Sequence, residues 1–264
     1  GSSLTPGLQS LEVGSNGAGI LTIENHSLTN VHTSVGTNDQ SVGIVMLEGE
    51  DAFWNNMGRL SVGFAGSTAL SILAVLNGAS LTSGESRIGD LPNSNGQVDV
   101  ITQSTIAKQS IALSSWVSGN LAVGFEGNGL LEIDDAEVVT GVAVLGSEIG
   151  SFGQVNVFGA EGISSWSCDQ LFVGSDGVGA VSILGEGNEI DVSNLVVLGG
   201  GEGGCGAVDV EDGARMTATL VTFVGSSSQG LLRLLNDGDF ETNTAFIGDG
   251  PGGLGEGVVV GGGA

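Results

Sequence analysis

The chain has 264 residues, and its 30 acidic against 5 basic side chains leave a net charge of −25. Phosphate recognition needs clustered Lys and Arg, so this balance argues against a nucleic-acid ligand and against attraction to an anionic membrane surface. No run approaches the roughly 18 apolar residues of a membrane-spanning helix, and 49 glycines weigh against helix interiors of any kind.

Residues 1–3, Gly-Ser-Ser, resemble a vector-derived remnant, and residues 4–264 are expected to form one domain without a linker. The three prolines, Pro6, Pro92 and Pro251, fall in predicted turns. From the N-terminus onward a β-branched residue or leucine followed by glycine recurs. It stands at Val13-Gly14, Val35-Gly36, Val62-Gly63, Ile88-Gly89, Val123-Gly124, Leu145-Gly146, Val173-Gly174, Leu198-Gly199, Val224-Gly225 and Ile247-Gly248. Successive glycines are 22, 27, 26, 35, 22, 28, 25, 26 and 23 residues apart, a mean of about 26. Self-similarity at such a period signals a stacked architecture.

Each anchor belongs to an alternating run, as in Leu60-Ser-Val62, Leu121-Ala-Val123 and Leu171-Phe-Val173, and a second run follows a glycine-bearing turn. The second runs alternate between two forms: Leu131-Glu-Ile133 and Val181-Ser-Ile183 on one side, Gly96-Gln-Val98-Asp-Val100 and Gly153-Gln-Val155-Asn-Val157 on the other. Apolar–polar alternation is the signature of strands buried on one face. Eight or nine positions before successive anchor glycines stand Leu28, Trp54, Leu81, Trp116, Val138, Trp166, Ile190, Met216 and Phe240, all large and apolar. A coil therefore has three short strands and three turns. The predicted fold is all-β: a single-stranded right-handed parallel β-helix, a solenoid of about nine to ten coils. At the usual interstrand spacing, nine steps give a rod about 43 Å long. A five-bladed β-propeller is the alternative, with a double period near 50 residues as one blade.

Tryptophans 54, 116 and 166 recur on every second coil. A carbohydrate-stacking stripe would use them, but the apolar residues interleaved with them favour an internal ladder. Carboxylates cluster at Glu48, Glu50 and Asp51, at Asp134 and Asp135, at Asp209, Glu211 and Asp212, and at Asp237, Asp239 and Glu241. Paired acids can work as acid and base in glycoside cleavage. The string Asp237-Gly-Asp239-Phe-Glu241 is the best local set for calcium, which takes six to eight oxygens. Most such acids are expected to be solvated turn residues. His26 and His32 read as surface residues. Cys168 and Cys205 are separated by about one and a half coils, which places them on different faces and leaves no disulfide and no zinc spacing.

One interval breaks the pattern. Gly89 to Gly124 is 35 residues, and the excess lies between Val100 and Trp116 in a segment free of acids that carries the only lysine. Insertions in solenoids form loops on one face, and such loops often bind. Thr102, Gln103, Thr105, Lys108 and Gln109 are the binding candidates there. The tail after Val258-Val259-Val260 has no polar cap, which suggests a segment of a longer protein.

The repeat, clearest from Leu121 through Ile183, resembles the glycine-rich repeats of bacterial autotransporter passenger domains and of large bacterial surface adhesins. The resemblance covers nearly the whole chain and implies a right-handed β-helix, export and a cell-surface location. It transfers no catalytic residue, because the matching positions are structural. The expected role is that of an extracellular stalk or adhesin segment without catalysis. Its partner would be a glycan or a host or cell-surface protein, with neighbouring coils of a longer chain stacked on it. The alternatives are a polysaccharide-active or carbohydrate-binding β-helix and a fibre segment.

Overall fold

The computed structural model describes residues 9–65, 69–102, 112–161 and 163–261. Among the described residues there is no helix, and 21 strands form two parallel sheets, of eleven and ten strands. In each sheet every strand lies beside the equivalent strand of the next coil, so the chain is a parallel β-solenoid with a coil of about 26 residues.

The anchors form one continuous inward column. Registered pairs run Val13↔Val35, Val62↔Ile88, Ile88↔Val123, Val123↔Leu145, Leu145↔Val173, Val173↔Leu198 and Leu198↔Val224. The tryptophan column does the same through Leu28↔Trp54, Leu81↔Trp116, Val138↔Trp166 and Ile190↔Met216. All three indoles are wholly buried, so they are core and not a surface stripe. The opposite wall comes from the second runs, with Val98, Leu131, Val155 and Val181 in register and equally buried.

The structure joins two strands that the repeat alone separates. From Phe53–Val62 onward, the tryptophan-ladder segment and the anchor segment run as one strand of nine or ten residues, as in Ser115–Val123 and Glu137–Leu145. Only the first coil divides them, into Ser27–Asn30 and His32–Val35. The strand bends between the two halves, and an inward polar residue sits at the bend. Asn30 donates to the carbonyl of His32 at 2.8 Å, Asn56 to that of Gly58 at 3.1 Å, and Ser118 to that of Asn120 at 2.9 Å. Each bond is part-buried and gives the inward polar side chain a backbone partner, which matters because a buried polar group left unpaired costs about 1–3 kcal/mol. These residues also stack in register: Asn30↔Asn56, Asn56↔Ser83, Ser83↔Ser118, Ser118↔Thr140. After Thr140 the column turns to Cys168, Val192 and Ala218. The pairing shifts register through an extra residue beside Asn56, Cys168 and Ala218.

Glycine is demanded at one corner. Each anchor glycine has positive φ, +61° at Gly146 for example, and faces a second glycine column that includes Gly96, Gly129, Gly153, Gly179 and Gly206. A Cβ on Gly153 would stand 1.9 Å from the Val123 carbonyl oxygen and 2.7 Å from the Gly146 nitrogen. Ser71 replaces glycine once in that column. Its Oγ accepts from the Gly43 N–H at 3.4 Å, and the registered pairing there resumes at Ile44↔Ile72.

Candidate functional site

Of the candidates in the insertion, Gln103, Thr105, Lys108 and Gln109 lie outside the described residues. Thr102 lies within them and is buried. Its N–H donates to the Asp134 carbonyl at 3.0 Å, and its Oγ1 accepts from the Ser114 N–H at 2.7 Å. Ser114 Oγ in turn donates to the Ile101 carbonyl at 2.7 Å. The two feet of the insertion are thus tied to each other, and the Thr102 hydroxyl serves that tie.

The three calcium candidates are not brought together. Asp237 sits in a turn at φ +67° and lines a shallow groove with Glu186, Asp212 and Asn236. Asp239 and Glu241 project from the next strand and flank Arg215 of the preceding coil, at 3.8 and 2.7 Å. Among the described residues no three His, Cys, Asp or Glu side chains gather to hold a metal.

A row of carboxylates on the outer face of the ten-stranded sheet follows from register. Asp99 pairs with Glu132, and Asp134 lies two residues further on. Neighbouring strands place the first two acids about 5 Å apart. Burial pushes the Asp99 carboxyl above its ordinary value, against the opposing bond from Gln97 at 2.8 Å. Burial also raises Asp134, helped by the charges of Asp135 and Glu132. A raised carboxyl makes the ionised fold less stable, so the stability linked to these groups is present in acid and is lost as pH rises through their folded values. Lowering the pH from neutrality towards the ordinary aspartate value of 3.8 is therefore expected to raise the urea midpoint. Asp99→Asn should flatten that rise.

The most organised polar cluster was not anticipated from the sequence. It lies on the outer face of the anchor half of the long strands and centres on Arg87. Its Nε donates to Glu85 at 2.8 Å and its Nη1 to Asp90 at 3.3 Å, and the guanidinium lies 4.0 Å over the ring of Phe125 in the next coil. Asp90 is almost fully buried and accepts at 2.7 Å from Ser61, which is itself wholly enclosed. Burial lowers the Arg87 pKa, but the bonds and charges of Glu85 and Asp90 outweigh it, and the net shift is upward. Beside this cluster is a groove of about 270 Å³, walled by Glu85, Arg87 and Asn120 and floored by Ala122, Val142 and Val144. The only sequence signal was an arginine in a column that elsewhere carries Ser34, Ser61, Ala122, Val144 and Phe172.

His26 is exposed, with Nδ1 2.6 Å from the Glu24 carbonyl, and exposed His32 accepts from the Arg59 N–H through Nδ1 at 3.0 Å. Neither is near a nucleophile arrangement. Both cysteines are free thiols, Cys168 in the core of one sheet and Cys205 at the outer start of a strand in the other. Burial, followed by the charges of Asp169 and Asp191, drives Cys168 to about 12. Thiolate is the reactive form, so an aromatic disulfide reagent at mildly alkaline pH should titrate one thiol in the folded protein and both in denaturant. Two equivalents reacting at the native rate would contradict this burial.

Comparison with protein-family models, with curated proteins and with solved structures finds no match to this chain.

Proposed function

We propose that the chain is an extracellular β-helical segment of the stalk or adhesin kind, which projects or binds and does not catalyse. The observation that carries this reading is the expenditure of nearly every coil position on stacking. The two faces of each coil are flat strand surfaces, and the grooves described above are shallow. Enzymes of this architecture need a cleft built by long loops, and one modest insertion interrupts the ten anchors. The charge of −25 supports a solvated rod whose copies repel one another. Partners would be a glycan or a cell-surface protein meeting one face.

A polysaccharide-active rod is the second reading, favoured by Asp99 and Glu132. Their separation approaches that of a retaining glycosidase pair, about 5–5.5 Å, and Asp99 has the raised carboxyl of an acid. Reducing-sugar release from neutral and acidic polysaccharides separates the two readings. Turnover that disappears in Asp99→Asn would overturn the stalk reading, and glycan capture without turnover supports it.

A further inference from the structure

The groove beside Arg87 has the makings of a binding site, and we propose that it takes a single neutral sugar ring, a pyranoside unit of a glycan. The proposal rests on the non-catalytic binding role above and names its ligand class and its residues.

Three polar ends converge on the groove, and each is fixed by a bond on its other side. Arg87 spends Nε on Glu85 and Nη1 on Asp90, which leaves Nη2 with no hydrogen bond to a described residue. The stack on Phe125 and the salt bridge to a carboxylate only 2% exposed hold the guanidinium plane. Asn120 accepts from the Val142 N–H through Oδ1 at 3.3 Å, so its Nδ2 amide is the free end. Glu85 commits Oε1 to Arg87 and keeps Oε2 available.

The set is therefore two donors and one acceptor above an apolar floor. Adjacent ring hydroxyls both accept and donate, and the C–H face of a pyranose suits Ala122, Val142 and Val144. Charge decides against an anion: Arg87 is outnumbered by Glu85 and Asp90, in a protein of net charge −25. A volume of about 270 Å³ lies just below the range of drug-sized pockets, as expected for one ring. Pre-set donors reduce the ordering cost of binding. A purely structural ion pair needs neither an exposed Asn120 amide nor an apolar floor beside it.

The test is an NMR titration of the ¹⁵N-labelled protein with methyl glycosides of neutral hexoses and, separately, with glucuronate. The expected result is saturable shifts at the Arg87 Nε–H and the Asn120 side-chain amide, with a dissociation constant on the order of 1 mM. Affinity should fall roughly tenfold or more in the double variant Glu85→Ala, Asn120→Ala. Both positions are solvent-facing, and Asn120→Asp gives a second variant that leaves packing intact and should weaken binding in the same direction. Absence of saturable shifts at both groups with every neutral glycoside would overturn the proposal. A stronger response to glucuronate than to the neutral rings would overturn it as well. Shifts confined to another face sink this groove and leave the stalk reading standing, whereas polymer turnover sinks the stalk reading whether or not the groove binds.

Discussion

Gly153→Ala is expected to cost more than about 3 kcal/mol and to open the middle of the rod. The added carbon would fall 1.9 Å from the Val123 carbonyl oxygen and 2.7 Å from the Gly146 nitrogen. Both are backbone atoms, and both are held: the Gly146 N–H donates to that same carbonyl at 3.0 Å. No rotamer change relieves the contact, so the coils must part. Two glycines supply controls. Gly150 has φ +86° with nothing within 4 Å of a Cβ, so alanine there should cost only the left-handed penalty of about 1–2 kcal/mol. Gly17 has neither positive φ nor a neighbour, and Gly17→Ala should be close to neutral. Urea midpoints of the three variants, with hydrogen exchange to locate the opening, give the ranking. A Gly153→Ala midpoint no lower than that of Gly150→Ala would refute the corner packing.

Trp116→Ala should follow, at about 3–5 kcal/mol. The indole is fully buried between Leu81 and Val138 of the flanking coils, and its Nε1 donates to Ser83 Oγ at 3.0 Å. Stability of a solenoid is a sum over neighbouring coils, so the loss should be local. Amide protection should fall around Leu81 and Val138 and persist near Val208. Ser83→Ala keeps the ring and removes the acceptor, leaving a buried N–H unpaired at a cost of about 1–3 kcal/mol. Trp116→Phe in that background should recover part of the loss, because phenylalanine has no N–H to satisfy. A Ser83→Ala variant as stable as the parent would show that the bond contributes nothing.

The glycine anchors and the tryptophan column were legible in the sequence because each occupies a position fixed by steric exclusion. Gly146 must reach φ +61°, and Trp166 must fill a slot between Val138 and Ile190, so the residue types betray the geometry. The joining of the ladder and anchor segments was not legible. Asn56, Ser83 and Ser118 look like turn residues in a chain rich in turns, and only the register shows them pointing inward beneath a bend. The Arg87 cluster was hidden for a different reason. Arg87 and Asp90 are only three residues apart, but Ser61 and Phe125 come from the coils on either side, and no local spacing relates these to the pair. The insertion stood out in the sequence through its length, its lack of acids and the only lysine, and its one described candidate, Thr102, proved to be occupied with backbone and Ser114.

The inner column of Asn30, Asn56, Ser83, Ser118 and Thr140 bears on how the chain avoids misfolding. Coils this similar could in principle close one unit out of step, and every anchor would still find an anchor. The bulk of the indoles opposes it. Trp54 reaches Asn30, Trp116 reaches Ser83 and Trp166 reaches Thr140, each in the coil before its own. A slip of one coil would bring Trp54 beside Trp116 where leucine now spaces them, two indoles in a space shaped for one and a smaller side chain. Large and smaller residues alternate along the column, Leu28, Trp54, Leu81, Trp116, Val138, Trp166 and Ile190, so that only every second coil is interchangeable. The alternation acts as a parity check on the folding chain, halving the number of ways in which ten near-copies can be miscounted.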